Sequence, residues 1–177
     1  MKILKRALLT ILAVVGLLLV AGLFLPRTYH VERSIVINAK PAEIYPSIGT
    51  LTEWPKWTVW NETKYPDMKQ EWSTPASGVG AWSKWEGKKS GDGTTKITRA
   101  DPEKGIAFDL AFNQGGYLST GELRMEPAGA ATKVTWTNDG NMGANPISRY
   151  FGLMMDKFMG PDFETGLANL KTKTEAH

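Results

Sequence analysis

The sequence predicts a single α+β domain: a curved antiparallel sheet of six to seven strands wrapped around a long C-terminal helix. Two short helices follow the first strand, and one transmembrane helix precedes the whole domain. Three observations predict this. An uncharged apolar run from Ala7 to Leu25 opens the chain. Short alternating stretches separated by Gly-bearing turns fill the middle. A closing segment places apolar residues at helical spacing.

The chain has 177 residues. Without its first 26 it is about 150 residues long, the usual size of one domain and enough for one core. The expected organisation is an anchor at 1–26 and a folded domain at 27–177. There is no cysteine, which excludes disulfides, thiolate catalysis, iron–sulfur clusters and acylation at a cysteine. The formal charge of +3 comes from the amino-terminal end. Lys2, Lys5 and Arg6 precede the apolar run, and no acidic residue occurs before Glu32. Removing those three from the 21 basic residues leaves 18, equal to the 18 acidic ones. The body of the chain is therefore formally neutral. Its only basic doublet is Lys88-Lys89, read as a solvated loop, and no nucleic-acid surface is expected.

As a helix, Ala7–Leu25 is roughly 28 Å long, close to the hydrocarbon thickness of a bilayer. A lone span must satisfy its backbone internally, so it must be helical. The rival is a cleaved signal peptide, but such peptides have shorter apolar regions. The best cleavage site, Val20-Ala21-Gly22, is followed by the apolar Leu23-Phe24-Leu25. The early cluster of positive charge favours a cytoplasmic amino terminus and an extracytoplasmic domain, periplasmic in a double-membrane bacterium. Pro26 ends the helix, and a strand begins almost at once.

Thr28 to Asn38 alternates around Val31, Arg33, Ile35 and Ile37, as a strand does. Pro41 suits the first turn of a short helix that ends at Gly49. Leu51 to Trp60 carries Trp54, Trp57 and Trp60 on one side of a helical turn. Met68–Trp72, Gly80–Glu86, Thr94–Ala100, Ile106–Asn113, Tyr117–Glu126 and Thr132–Asn138 read as further strands. Ile106, Phe108, Leu110 and Phe112 alternate with Ala107, Asp109, Ala111 and Asn113, so one face is apolar, as in a sheet covered on one side. By the same parity Tyr117, Ser119, Gly121, Leu123 and Met125 point inward, as do Thr132, Val134, Trp136 and Asn138. Asn145 and Pro146 start the closing helix. Ile147, Phe151, Met154 and Phe158, then Phe163, Leu167 and Leu170, follow at helical spacing. Gly160-Pro161 is expected to kink or break it.

This order implies a pocket. One helix is about 10 Å wide, whereas six or seven strands span roughly 30 Å. A single helix leaves part of the apolar face uncovered, and curling the sheet around it leaves space between them.

Several segments strengthen that expectation. They are Val31–Ala39 followed by Pro41-Ala42-Glu43-Ile44-Tyr45, then Trp54-Pro55-Lys56-Trp57, Gly78–Trp82 and Asp162–Lys171. Together they resemble the START-like helix-grip superfamily, also called SRPBCC, in its polyketide cyclase/dehydrase-like branch. The resemblance implies a hydrophobic cavity between sheet and last helix, holding lipids, polyketides or other apolar or aromatic molecules. It implies no shared catalytic motif, so no catalytic residue carries over. The anchor departs from the usual soluble members and suggests a ligand met at a membrane.

For Trp72, Phe108, Phe112, Tyr117 and Trp136, pocket lining and plain core packing both remain open. Trp54 and Trp57 read as core. Trp82 and Trp85, three apart on a strand, face opposite ways, so at most one lines a pocket. Met142, Met154, Met155 and Met159 gather near the closing helix and suit a pliable lid over the pocket, with a helix kinked simply to follow the sheet as the other reading. Met154 and Phe158 are expected to line the pocket. Gln70, Arg99, Ser119 and Asn138 are polar at positions assigned inward and could orient a ligand. His30 sits beside the apolar run and His177 ends the chain. No histidine triad, metal site or cofactor is therefore expected. The leading expectation is a membrane-tethered binding or carrier domain for a hydrophobic or aromatic small molecule or lipid. A cyclase-, dehydratase- or hydrolase-type enzyme is one alternative. A protein-interaction module at the membrane is the other.

Overall fold

The computed structural model describes residues 2–176, so Met1 and His177 lie outside the described residues. The chain opens with α1 (Lys2–Gly22). Within it, Ile3–Gly22 is long and apolar enough to cross a membrane, and its residues are exposed up to Gly22, the one buried residue of the stretch. The helix stops three residues short of the expected Leu25. Leu23 and Phe24 bond back only three residues, to the carbonyls of Val20 and Ala21, which tightens and ends the last turn. The Leu23 and Leu25 carbonyls turn instead to the guanidinium of Arg149, at 2.5 and 3.4 Å.

β1 (Thr28–Ile37) leads to α2 (Pro41–Gly49) and a 3-10 turn at Leu51–Lys56. Six strands follow: β2 (Lys69–Trp72), β3 (Trp82–Gly87), β4 (Gly91–Asp101), β5 (Gly105–Phe112), β6 (Tyr117–Ala128) and β7 (Ala131–Asn141). They form one sheet in the order β1-β7-β6-β5-β4-β3-β2, antiparallel throughout. Two helices close the chain, α3 (Pro146–Gly152) and α4 (Met155–Glu175). This is the seven-stranded, helix-closed architecture that the sequence predicts.

Strand parity follows the apolar alternation. Ile106, Phe108, Leu123, Met125, Val134 and Trp136 are buried on the inner face. Gly121 lies there because the Phe108 ring covers it across the strands, where any side chain would collide. One strand breaks parity. The register shifts between Ile97 and Arg99, so a bulge at Thr98 turns Arg99 to the outer face. There Arg99 bonds Glu122 at 2.5 Å with its side chain 52% exposed. The inward assignment of Arg99 is thereby corrected: one extra residue reverses every later side chain.

The closing segment also breaks elsewhere than expected. α4 continues through Gly160-Pro161, and the interruption falls at Leu153–Met154. Two constraints meet there. α3 is held to the base of α1, since Arg149 bonds carbonyls at Leu23, Leu25, Gly143 and Ala144. α4 instead runs along β1, where Arg33 grips Glu164 at 2.6 Å and Asp156 at 2.7 Å. Gly160 is small because that guanidinium packs against it. α4 covers chiefly the β1 edge of the sheet. The inner faces of the farther strands are left to α2, the 3-10 turn and empty space.

Candidate functional site

That space is a cavity of about 610 Å³ between the sheet and the closing helices, within the size range of small-molecule sites. Its inner end is an aromatic cluster. Trp136 stacks on Phe163 with ring centroids 4.2 Å apart and planes 3° from parallel. Trp57 and Trp60 meet Trp136 at 5.2 and 5.8 Å, and Trp54 meets Phe108 edge-on at 5.1 Å. The 3-10 turn holds this cluster in place: the Trp54 and Trp57 indole N–H groups donate to the carbonyls of Ile48 and Ser47. Trp57 is entirely core. Trp54, expected to be core, also presents a face to the cavity.

The side walls come from alternate residues of neighbouring strands. Gln70 and Trp72 of β2, Trp85 of β3, Thr95 of β4, Leu110 and Phe112 of β5 and Ser119 of β6 all line the space. Trp85 packs edge-on to Phe112 at 5.7 Å. Its partner in sequence, Trp82, is 40% exposed and is not on the cavity wall. The mouth is formed by Tyr117 and Leu118 at the start of β6, Met142 after β7, Phe151 of α3, and Met155, Phe158 and Met159 of α4.

Of the residues singled out in the sequence, Trp72, Phe108, Phe112, Tyr117, Trp136 and Phe158 therefore share one cavity wall. Arg99 does not. Met154 does not either; it caps α4 and is 42% exposed, because the helix break turns it away from the space. Asn138 sits one layer behind the wall. It is 1% exposed, accepts a hydrogen bond from the Tyr29 hydroxyl at 3.0 Å, and donates to Ser119 at 3.2 Å. Tyr29 and Ser119 face the cavity. Burial pushes the Tyr29 hydroxyl above its ordinary range, against the pull of Ser119, so it stays a neutral donor near pH 7. Sequence reasoning missed Tyr29, although it shares parity with Val31. It also missed Arg149, which is 4% exposed and whose role depends on a contact 126 residues away in the chain.

Asp162 is the one formally charged residue on the described wall, and it pairs with Lys64 at 2.9 Å. Among the described residues, no group of three or more His, Asp or Glu side chains could hold a metal ion. A second cleft of about 660 Å³ lies between α2 and the end of α4. Its polar groups are already engaged: Lys173 with Ser47 and Glu53, Glu175 with the Asn38 N–H, and Glu43 with the Lys40 N–H.

The family described as "Polyketide cyclase / dehydrase and lipid transport" matches residues 28–175. No curated protein matches the chain. Among solved structures, a protein from Rhodobacter sphaeroides is similar at TM-score 0.60 and 15% identity, covering 84% of this chain and 93% of its own. Ara h 8.0201 is similar at TM-score 0.56 and 12% identity, covering 85% and 99%. The di-domain ARO/CYC BexL from the BE-7585A biosynthetic pathway is similar at TM-score 0.58 and 18% identity, covering 82% of this chain and 46% of its own. At such identities these likenesses establish the shared fold.

Proposed function

The chain belongs to the polyketide cyclase / dehydrase and lipid transport family, and from that premise we propose that it is a membrane-tethered binding or carrier domain. Its cargo is an uncharged hydrophobic or aromatic small molecule or lipid. One observation carries this reading: a cavity of about 610 Å³ walled by aromatic and apolar side chains. Ligand contact falls to Trp72, Phe108, Phe112, Tyr117, Trp136 and Phe158. A charged cargo would leave its charge without a partner, at a cost of several kcal/mol. Tyr29 and Ser119, steadied by Asn138, offer one polar spot for a carbonyl or hydroxyl oxygen. Carriage is favoured over turnover because the only carboxylate on the described wall, Asp162, is already paired with Lys64. An interaction module would have little use for an interior space of this size.

In this reading α1 spans the membrane, with the amino terminus in the cytoplasm beside Lys5 and Arg6. The domain, residues 27–177, then stands on the opposite side. The apolar length of Ile3–Gly22 supports the span, and the positive-inside rule supports the orientation.

Native mass spectrometry of the full chain, extracted in mild detergent, tests the cargo. The expected result is a copurified apolar molecule, or uptake of the neutral dye N-phenyl-1-naphthylamine that Trp72→Ala and Phe112→Ala weaken. A protein that carries nothing, and whose dye uptake these substitutions leave unchanged, overturns the proposal.

A further inference from the structure

We infer that α3 and the β5–β6 turn rest in the interface of the bilayer, so that the cavity mouth opens onto lipid rather than water. This rests on reading α1 as a span and the cavity as a ligand site, and goes beyond both by naming the surface that meets the membrane.

Three observations carry it. The first is depth. The Tyr150 hydroxyl donates to the Leu18 carbonyl at 2.8 Å. Leu18 lies four residues inside the end of α1, roughly 6 Å at the helical rise. Pro146 and Tyr150 also crowd against Gly22. α3 is thus level with the last turn of the spanning helix, not above it. Arg149 fixes that height by bonding the carbonyls just beyond the helix end. Interfacial depth is where tyrosine, with its apolar ring and polar tip, is favoured.

The second is the surface at that depth. Ile147 (54%), Phe151 (57%), Leu153 (57%) and Phe158 (54%) are large, apolar and uncovered. Leu118, at the start of β6 beside the β5–β6 turn, is 65% exposed, and Phe24 is 85% exposed at the foot of α1. Scattered apolar residues need no explanation, but several gathered on α3 and on the cavity rim, where Leu118, Phe151 and Phe158 meet, beside an apolar span do. A bilayer accounts for both these residues and the exposed helix.

The third is the direction of the sheet. Thr28 pairs with Asn141, Phe112 with Tyr117, and Gly93 with Phe112. The start of β1, the end of β7, the β5–β6 turn and the β3–β4 turn therefore share one end of the sheet. That end carries the cavity mouth and also Arg27 and Lys88-Lys89, which suit lipid phosphates. The opposite end carries the turn at Lys104.

The chain has no cysteine, so single-cysteine variants can each carry one environment-sensitive nitrobenzoxadiazole dye. The full chain is reconstituted in phosphatidylcholine vesicles with and without lipids bearing a nitroxide quencher on the upper acyl chain. Phe151→Cys and Leu118→Cys are expected to emit as in an apolar medium and to be quenched, as Leu17→Cys in the span is. Lys104→Cys is expected to stay water-exposed and unquenched. Quenching at position 17 but not at 118 or 151 overturns the inference and leaves the span standing. No quenching at any of the three overturns the inference together with the span. A dye at 151 that is shielded from water yet out of reach of the quencher assigns the surface to a second protein, and also overturns it. Dye-labelled Phe158→Cys, followed for a spectral change on adding N-phenyl-1-naphthylamine, reports separately whether the cavity binds.

Discussion

The two halves of the closing helical segment use similar side chains for opposite ends. In the second half of α4, Phe163, Leu167 and Leu170 are at most 2% exposed. In α3 and the first turns of α4, Ile147, Phe151, Met154 and Phe158 are 42–57% exposed. Both stretches show the same helical spacing of apolar residues. What differs is the opposing surface. Phe163 finds the Trp136 ring to stack on, and Leu170 sits in the packed core with Ile37 and Ile44. Phe151 and Phe158 find only the rim of an open cavity. An apolar stripe thus announces a need for apolar surroundings without saying whether protein, ligand or lipid will provide them. Burial is concentrated in one half, and the other stands at the rim of the cavity.

The sharpest way to break this contrast is truncation. Leu170→Ala is expected to cost about 2–5 kcal/mol, as buried leucines do. Phe158→Ala should stay within about 0.5 kcal/mol, as for an exposed site. Urea unfolding of the full chain in detergent compares them, and equal costs would erase the distinction. Filling the open half is the next test. Leu110→Trp adds bulk where there is space, so its stability cost should fall below the ~1–3 kcal/mol typical of overpacking. Uptake of N-phenyl-1-naphthylamine should be lost. Tyr29→Phe sits at the boundary. It takes the hydrogen bond from the buried Asn138 oxygen and should cost about 1–3 kcal/mol, as an acceptor left unpaired does, measured in the same urea series.

The smallest effect is a dependence on pH at the start of β1. The Asp139 carboxylate bonds the His30 imidazole at 2.7 Å and, with Glu32 nearby, holds its pKa above the ordinary 6.5. A raised folded-state value means that this stabilisation is complete below pH 6.5 and is lost as pH rises through the elevated pKa. The ring is 55% exposed, so the change is slight. His30→Gln should flatten the thermal midpoint across that window relative to the parent; an unchanged slope would remove His30 as its source.

How far the sequence could be read depended on range. Local periodicity gave the strands, the inner face of β5 to β7 and the Asn145–Pro146 helix start, because each depends on residues a few positions apart. Trp72, Phe108, Phe112, Tyr117 and Trp136 came together because strand parity places alternate side chains on one face, and Phe158 joined them from α4. Arg99 failed because a single-residue bulge leaves no trace in a pattern of period two. Met154 failed because the helix breaks where Arg149 and Arg33 pull in different directions, and those pulls come from Leu23 and from Asp156 and Glu164. Gly160-Pro161 looked like the weak point, yet its glycine answers to the Arg33 guanidinium. Long-range polar contacts of this kind have no local signature.

The connection between α1 and β1 has a mechanical consequence. Only residues 23–27 separate Gly22 from Thr28. Even if the Arg149 clamp let go and those five residues stretched fully, the domain would gain roughly 18 Å of reach. Were α1 to span a bilayer, so short a leash would rule out ferrying across any wide aqueous gap. On the reading proposed above, a bound molecule would then have to be collected by something that comes to the membrane, the protein serving as a fixed berth rather than a boat.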